Sequence, residues 1–265
     1  MAYCRSGEHP LIRHNPDCVA CALGKNRVRH NEVHKDDEKV PLQFSVGGAG
    51  PDDLTKVKLI VVSDLVGHYE CLSNEPMHDV SGDREERKRG LLQPLNAGAF
   101  LRMSLNLMYG LDTYSDCYIT NAVKCNPNQL KPLENPHMRP CASTWLDTEF
   151  HILDEYVPDV PILCAGSLAF KALCYIFKNE SKQLLEIKHN NCRRRKDLKL
   201  GDHPLVVTFN PAVAARSMPK IETAVKETKV GITPTRNEWL FPQLPGSPVD
   251  RFIKDLYPLA PYLKK

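Results

Sequence analysis

Three polar side chains stand at the ends of apolar runs in this 265-residue sequence, where they could take part in chemistry. Asp64 ends "VKLIVVSD" (57–64), Asn121 lies in "CYITNAV" (117–123), and Asn210 ends "HPLVVTFN" (203–210). An amide offers a donor beside an acceptor, which suits a planar heterocycle such as a nucleobase. A carboxylate can orient water or stabilise a cation. Because Asn and Asp are also common where strands end, strand termination is the alternative for each residue alone.

Four of the ten cysteines form a second candidate site. Cys18 and Cys21 have CxxC spacing, Cys125 follows the second apolar run, and Cys141 heads a helical segment. In a reducing compartment such cysteines are metal ligands or buried apolar residues more often than disulfides. Together they could complete a four-thiolate centre, which holds either zinc or an iron–sulfur cluster. The alternative is a zinc site confined to the N-terminal segment, with ligands from Cys4, Cys18, Cys21 and either His9 or His14.

The elements that must position these groups alternate along the chain. Four runs rich in Val, Ile and Leu predict buried strands at 57–64, 117–123, 160–166 and 203–210. Amphipathic segments predict helices at 96–110, 144–157 and 167–177, and a short one near 249–257. This alternation predicts an α/β fold of three layers around a central, mostly parallel, four-stranded sheet. Ligands bind at the carboxyl ends of such strands, so the three polar residues are expected on one rim.

Composition places the chain among ordinary globular proteins, with 42% hydrophobic and 25% charged residues. We expect an irregular segment over 1–50 that carries the CxxC pair, and one α/β domain over 51–265. No apolar run reaches the roughly 18 residues of a membrane span, and the N-terminus has no apolar signal core, which predicts a cytoplasmic protein. We also expect a monomer. The net charge of +3 is too small to prove a nucleic-acid partner, but "CRRRKDLK" (192–199) is a basic cluster.

An ordered set of motifs carries a family resemblance. "CVACALGKNRVR", "AGAFLRMSLNLMYGL", "YITNAVKCNP", "PILCAGSLAFKAL" and "TFNPAVAAR" occur in this order. The set resembles the uracil-DNA glycosylase superfamily over roughly residues 15–225, with "YITNAVKCNP" as its most specific element. It is most similar to the family 4 type, which carries a 4Fe–4S cluster, and to related phage DNA-polymerase-associated domains.

The resemblance implies a role for each candidate residue. Asn121 would read the flipped base, Asp64 and Gly67 would belong to the first catalytic motif, and Asn210 to the second. Arg216 would lie in the loop that presses into the duplex. A 4Fe–4S cluster that ties the N-terminal segment to the sheet would be bound by Cys18, Cys21, Cys125 and Cys141.

The sequence also departs from the family pattern. Val66 replaces a proline of the first motif, Gln93 replaces a phenylalanine that stacks on the base, and Asn210 replaces a histidine. The segment 71–90 is longer than the family pattern. Asn-Pro in the second motif resembles the mismatch-specific branch of the superfamily. His68, beside Gly67, is the best candidate for a replacement acid, ahead of two other histidines, His189 and His203.

These features lead to competing hypotheses. The first is a glycosylase that recognises uracil or a modified pyrimidine in single- or double-stranded DNA and hydrolyses its N-glycosidic bond. The second is a weakened or inactive relative that binds DNA and replication or repair proteins. A third is another nucleotide reaction, such as processing a hypermodified base. Where the protein binds DNA, phosphate contacts are expected from Arg193, Arg194, Arg195 and Lys220, with a solvated loop as the alternative for the arginine run.

Overall fold

The structure is a computed structural model, and its described residues are 3–4, 9–12, 18, 20–21, 45–67, 70, 75–77, 96–126, 135–178, 189–193, 195, 197–217 and 245–263. Two short strands, β1 (Tyr3–Cys4) and β2 (Gly50–Pro51), pair antiparallel. Nearby, Gly48 lies so close to Tyr118 that a Cβ would be 1.9 Å from the hydroxyl oxygen, so only glycine fits. Residues 48–50 therefore pack directly against Cys117 and Tyr118 of the main sheet.

Within the described residues the central sheet has five strands: β3 (Leu59–Leu65), β4 (Cys117–Val123), β5 (Ile162–Ala165), β6 (Lys199–Leu200) and β7 (His203–Thr208). Their spatial order is β4-β3-β5-β7-β6; the first four are mutually parallel, and β6 pairs antiparallel with β7. The predicted α/β class with a mostly parallel sheet is confirmed. The sheet has one strand more than predicted, because a two-residue strand has too few positions to show a period.

Helices connect and cover the strands. Those described are α1 (Ala97–Tyr109), α2 (Asn135–Cys141), α3 (Asp147–Tyr156), α4 (Ser167–Ile176), α5 (His189–Cys192), α6 (Pro211–Ser217), α7 (Pro248–Leu256) and α8 (Ala260–Leu263). A π-helical turn, Ala142–Leu146, joins α2 to α3, so this helical stretch begins earlier than predicted. Asn96 caps α1 by accepting from Ala99 N at 2.7 Å, and Gly110 ends it with a φ of 68°. No described helix has the length and apolarity needed to cross a bilayer.

The sheet has an apolar core on each face. Alternate residues of β3 point to opposite sides, as the period of a strand requires. Leu59 and Val61 pack against α1, α6 and α7, whereas Ile60 and Val62 pack against α3 and α4. We call these the α1 face and the α4 face. The strands are buried on both sides, which explains why their sequences are continuous apolar runs.

A buried ion pair attaches the C-terminal helix to the sheet. The side chain of Asp255 on α7 is fully buried, and Arg193 donates to its Oδ2 at 2.6 Å. Thr208, the last residue of β7, donates to the same oxygen at 3.2 Å. The Arg193 guanidinium also lies 4.8 Å from the ring centroid of Phe209. This arginine of the basic run therefore has a structural partner inside the protein.

We predict that Asp255→Asn destabilises the fold by about 2–3 kcal/mol, because it leaves the largely buried Arg193 charge without its counterion. Asp197→Asn is the matched control: its partner Arg195 and Asp197 form an exposed pair at 2.5 Å, and no measurable change is expected. Urea denaturation of both variants measures the difference. Equal stabilities would show that the buried pair does not hold α7 in place.

Candidate active site at the carboxyl ends of the strands

All three polar residues lie towards the carboxyl ends of the strands, and two of them, Asp64 and Asn210, are in contact. Asp64 is near the end of β3, Asn121 lies in β4 beside Ser63 of β3, and Asn210 follows β7. β5 separates β3 from β7 in the sheet. The Asn210 amide nevertheless donates to Asp64 Oδ2 at 3.2 Å, so these side chains bridge the end of β5.

The other oxygen of Asp64 caps a helix. Asp64 Oδ1 accepts hydrogen bonds from Leu168 N at 2.9 Å and Ala169 N at 3.0 Å, both in the first turn of α4. These N–H groups have no partner within the helix, and the positive end of the helix dipole favours a carboxylate there. Both Asp64 oxygens are therefore oriented by the protein.

Gly166 makes this arrangement possible. Its φ is +134°, and a Cβ built there would lie 2.1 Å from Asp64 Oδ1. A side chain would therefore be strained at this φ and would also displace the carboxylate. Gly166 is thus a structural requirement for the position of Asp64.

Asn210 is fixed at both ends of its amide. Its Oδ1 accepts from Ala212 N at 2.9 Å at the start of α6, which turns Nδ2 towards Asp64. A primary amide carries two N–H groups. The second Nδ2 hydrogen is the one that could serve a substrate.

Asn121 is buried and has a buried carboxylate as its partner. Its Nδ2 donates to Glu70 Oε1 at 3.1 Å, while its Oδ1 has no hydrogen-bond partner among the described residues. Ser63, its neighbour on β3, likewise has a buried Oγ with no described partner. Since buried polar atoms in proteins are nearly always paired, two adjacent exceptions indicate a place where a polar ligand can bind.

Sequence reasoning missed Glu70. It lies six residues after Asp64, outside the strand, in a segment where no periodic pattern marks it. Its Oε1 also accepts from Met77 N at 2.6 Å, and its Oε2 accepts from Gly67 N. The only signal was an acidic residue near the first motif, and its contact with Asn121 depends on how the chain folds back.

The segment that carries Met77 is anchored to α1. Arg102 is buried and donates to Met77 O at 3.1 Å, to Glu75 Oε1 at 2.6 Å and to Thr113 Oγ1 at 2.6 Å. Burial disfavours the charged form of Arg102, but neighbouring groups that include Glu75 offset this, and its pKa is raised. Met77 itself has a φ of 51°, an unusual conformation for a residue with a side chain. Arg102 and Glu70 therefore hold this strained turn from its two sides.

The remaining residues of the first motif have different surroundings. Val66 is fully buried against Val46, so it packs in the core and does not present a polar group. Gly67 N binds Glu70, as described above. His68 and Gln93 lie outside the described residues, and their predicted roles stay predictions.

The predicted DNA contacts are only partly described. Arg216 is exposed and donates to Ala212 O at 3.0 Å within α6, and the side chain of Val213 on the same helix is also exposed. Arg195 pairs with the exposed Asp197. Arg194 and Lys220 lie outside the described residues. A contact between DNA and any of the predicted residues stays a prediction.

Three of the four cysteines of the second candidate site lie near one another. Cys125 is buried in the apolar core of the α4 face, and Cys21 packs against that core. Cys141 is also buried, close to both. Trp145 Nε1 donates to Cys18 Sγ at 3.2 Å. Burial raises the pKa of Cys141 to about 12, and Cys125 and Cys21 are near enough to add to the increase.

The donor set only partly fits a metal centre. Lys124 N donates to Cys141 Sγ at 3.2 Å, and such N–H donors stabilise sulfur ligands. However, no three His, Cys, Asp or Glu side chains in the described ranges are arranged so that they could hold a metal ion. The zinc alternative is equally untested, and its His14 lies outside the described residues. The metal cluster therefore stays a prediction.

A comparison with family models finds one that matches residues 68–229, described as the uracil DNA glycosylase superfamily. The match includes Glu70, Asn121, Cys125 and Asn210, and it begins just after Asp64 and Gly67. No curated protein matches the chain.

We predict that Gly166→Ala destabilises the protein by about 2–3 kcal/mol or more, because the new methyl group combines backbone strain with a clash against Asp64. Gly110→Ala is the control, since Gly110 also has a positive φ but a Cβ there would meet nothing within 4 Å. That control should cost about 1 kcal/mol. Thermal and urea denaturation compare the two. A cost for Gly166→Ala no greater than that of the control would contradict the placement of the Asp64 carboxylate.

Proposed function

The chain belongs to the uracil DNA glycosylase superfamily, since the family model matches more than half of its 265 residues, and from this premise we propose that it hydrolyses the N-glycosidic bond of a flipped uracil or modified pyrimidine in DNA. The superfamily gives a DNA glycosylase-like function and DNA as the partner. The single observation that carries the finer proposal is the buried Asn121 amide, whose Oδ1 has no described partner on the strand-end rim.

Asn121 offers the hydrogen-bonding pattern that a uracil ring requires. Its Oδ1 can accept from the ring N3–H, and the second hydrogen of Nδ2 can donate to the neighbouring carbonyl. Ser63 Oγ beside it can add a further donor or acceptor. A base in this position would satisfy the buried atoms that are left without described partners, which favours binding.

Asp64 and Asn210 are the proposed catalytic residues. In hydrolysis the bond between C1′ and the base nitrogen breaks, water adds its hydroxyl to C1′, and the base leaves with the bonding electrons and takes up a proton. The sugar becomes positive and the base negative as the bond breaks. The Asp64 carboxylate would stabilise the sugar cation and orient the water. The free Nδ2 hydrogen of Asn210 would stabilise the departing base, although an amide cannot exchange a proton as an imidazole does.

One observation favours a second candidate function, DNA binding without cleavage. Both oxygens of Asp64 already accept hydrogen bonds, from α4 and from Asn210. A carboxylate held in this way keeps fewer lone pairs for a water molecule. An inactive protein of this kind would bind DNA with a strong salt dependence and leave no abasic sites.

We predict that the purified protein removes the target base from duplexes that contain uracil, 5-hydroxymethyluracil or a mismatched pyrimidine. Alkaline treatment then cuts the strand at the abasic site, and the cut is measured. Asn210→Ala should lower the single-turnover rate about 10²–10³-fold, because it removes a donor to the leaving base. Lys58→Gln is the control for preparation and folding, because exposed Lys58 pairs with Asp116 at the amino end of β3, away from the strand-end rim. If none of these duplexes is cut, the glycosylase proposal fails; salt-dependent binding in that case supports the second function.

We also propose that a 4Fe–4S cluster, with zinc as the alternative, is held by Cys18, Cys21, Cys125 and Cys141. Iron and zinc both bind thiolate sulfur, and such a centre would tie the N-terminal segment to α2 and the end of β4. The N–H donors of Lys124 and Trp145 to two of these sulfurs support the proposal. We expect the cluster to have a structural role, because its cysteines lie outside the strand ends that carry Asp64 and Asn210.

We predict that anaerobically purified protein contains iron and acid-labile sulfide in equal amounts and absorbs visible light. Cys141→Ser should remove the cluster and lower the melting temperature, because a site that binds only the folded chain stabilises it. Cys174→Ser, a buried cysteine of α4, is the control that should retain iron. Zinc in place of iron would establish the alternative, and the absence of both metals would contradict the proposal.

A further inference from the structure

We propose that Glu70 is a positioning residue that sets base specificity, because its carboxylate determines which atom of the Asn121 amide faces the base. This inference rests on the proposed function, in which Asn121 reads the base. It predicts that Glu70 makes the site prefer bases with a ring N–H beside a carbonyl over cytosine.

Three N–H groups converge on Glu70. Oε1 accepts from Asn121 Nδ2 at 3.1 Å and from Met77 N at 2.6 Å, and Oε2 accepts from Gly67 N. Glu70 is also largely buried. Such surroundings suit an ionised carboxylate, which only accepts hydrogen bonds.

An acceptor-only partner allows one orientation of the Asn121 amide. If the amide rotated by half a turn, Oδ1 would face Oε1 of Glu70, and two oxygen acceptors would be in contact without a hydrogen. The buried pair would then lose its hydrogen bond and repel, which strongly disfavours the rotated form. Oδ1 is therefore directed away from Glu70, where it has no described partner.

Glu70 is itself held in place from a core helix. Met77, which donates to Glu70, is held through its carbonyl oxygen by Arg102 of α1 at 3.1 Å. On the other side, Gly67 connects Glu70 to the end of β3. The carboxylate is thus fixed by the backbone at two points, so it can orient the amide rather than follow it.

The consequence for bases follows from their edges. Uracil, thymine and 5-substituted uracils present a ring N–H next to a carbonyl oxygen, which complements an acceptor beside a donor. Cytosine presents a ring acceptor next to an amino group, so its acceptor would face Asn121 Oδ1. A mismatched pair of this type is expected to cost about tenfold or more in discrimination.

The test compares Glu70→Gln with the wild type on otherwise identical duplexes that carry one target base. Gln can both donate and accept, so it permits either orientation of the Asn121 amide. Two ratios are measured: the excision rates of uracil and cytosine, and the dissociation constants of duplexes with 2′-fluoro-2′-deoxyuridine and 2′-fluoro-2′-deoxycytidine, which resist cleavage. We expect Glu70→Gln to reduce the preference for the uracil form about tenfold.

Glu149→Gln is the matched control, because Glu149 is a buried carboxylate on the α4 face that binds Lys124 and Thr120. It should lower the melting temperature but keep the ratio of the wild type within about twofold. If Glu70→Gln does not fold, Glu70→Asp replaces it. This variant keeps the charge, withdraws the acceptor by one methylene group, and should shift the ratio in the same direction.

The outcomes separate the two proposals. A folded Glu70 variant that keeps the wild-type ratio overturns the role of Glu70, even if uracil is cleaved. A wild-type protein that cuts nothing but binds the uridine duplex more tightly, with the preference lost in the variant, overturns cleavage and supports Glu70. A wild type that binds the uridine and cytidine duplexes equally overturns the inference directly.

Discussion

The geometry of the strand-end rim depends on the hydrogen bonds that the Asp64 carboxylate accepts. This carboxylate leaves the end of β3 towards the α4 face, accepts two N–H groups from the first turn of α4, and accepts the Asn210 amide from beyond β7. One side chain thereby joins β3 to α4 and to the residues after β7, although β5 lies between β3 and β7 in the sheet. Gly166 is required because any Cβ there would occupy the space of the carboxylate. The position of Asn210, and hence any chemistry it performs, follows from this contact.

Buried charged groups connect elements elsewhere in the fold as well. Glu149 of α3 accepts from Lys124 at 2.6 Å and from Gly48 N at 3.0 Å, which connects a helix, a strand end and the N-terminal segment. Asp255 connects α7 to β7 and Arg193. An unpaired buried charge is costly, so each such group is stable only when all its partners are in place. This requirement fixes relative positions that apolar packing alone would leave adjustable.

The proposed base-reading group and the proposed catalytic carboxylate lie on different faces of the sheet. Asn121 and Ser63 extend from adjacent strands on the α1 face, together with Glu70 and the anchored turn at Met77. Asp64 points to the α4 face and meets Asn210 at the end of β7. In the proposed reaction Asp64 would face the sugar, while Asn121 and Asn210 would both bind the base.

The sequence by itself determined the mostly parallel sheet, the alternation of its strands with helices and the polar residues at its strand ends. Apolar runs and helical periods are local properties of the chain. It also indicated the family, because the motifs occur in the order of the family pattern even where single residues differ from it. Only the tertiary structure decided which polar groups pair. Glu70 could not be assigned to Asn121 from sequence, since 51 residues separate them and neither lies in a pattern that names a partner. Likewise, the sequence shows Arg193 only as part of a basic run. The packing of α7 against β7 provides its buried carboxylate partner. Such contacts are set by the path of the chain in space, which the spacing of residue types does not encode.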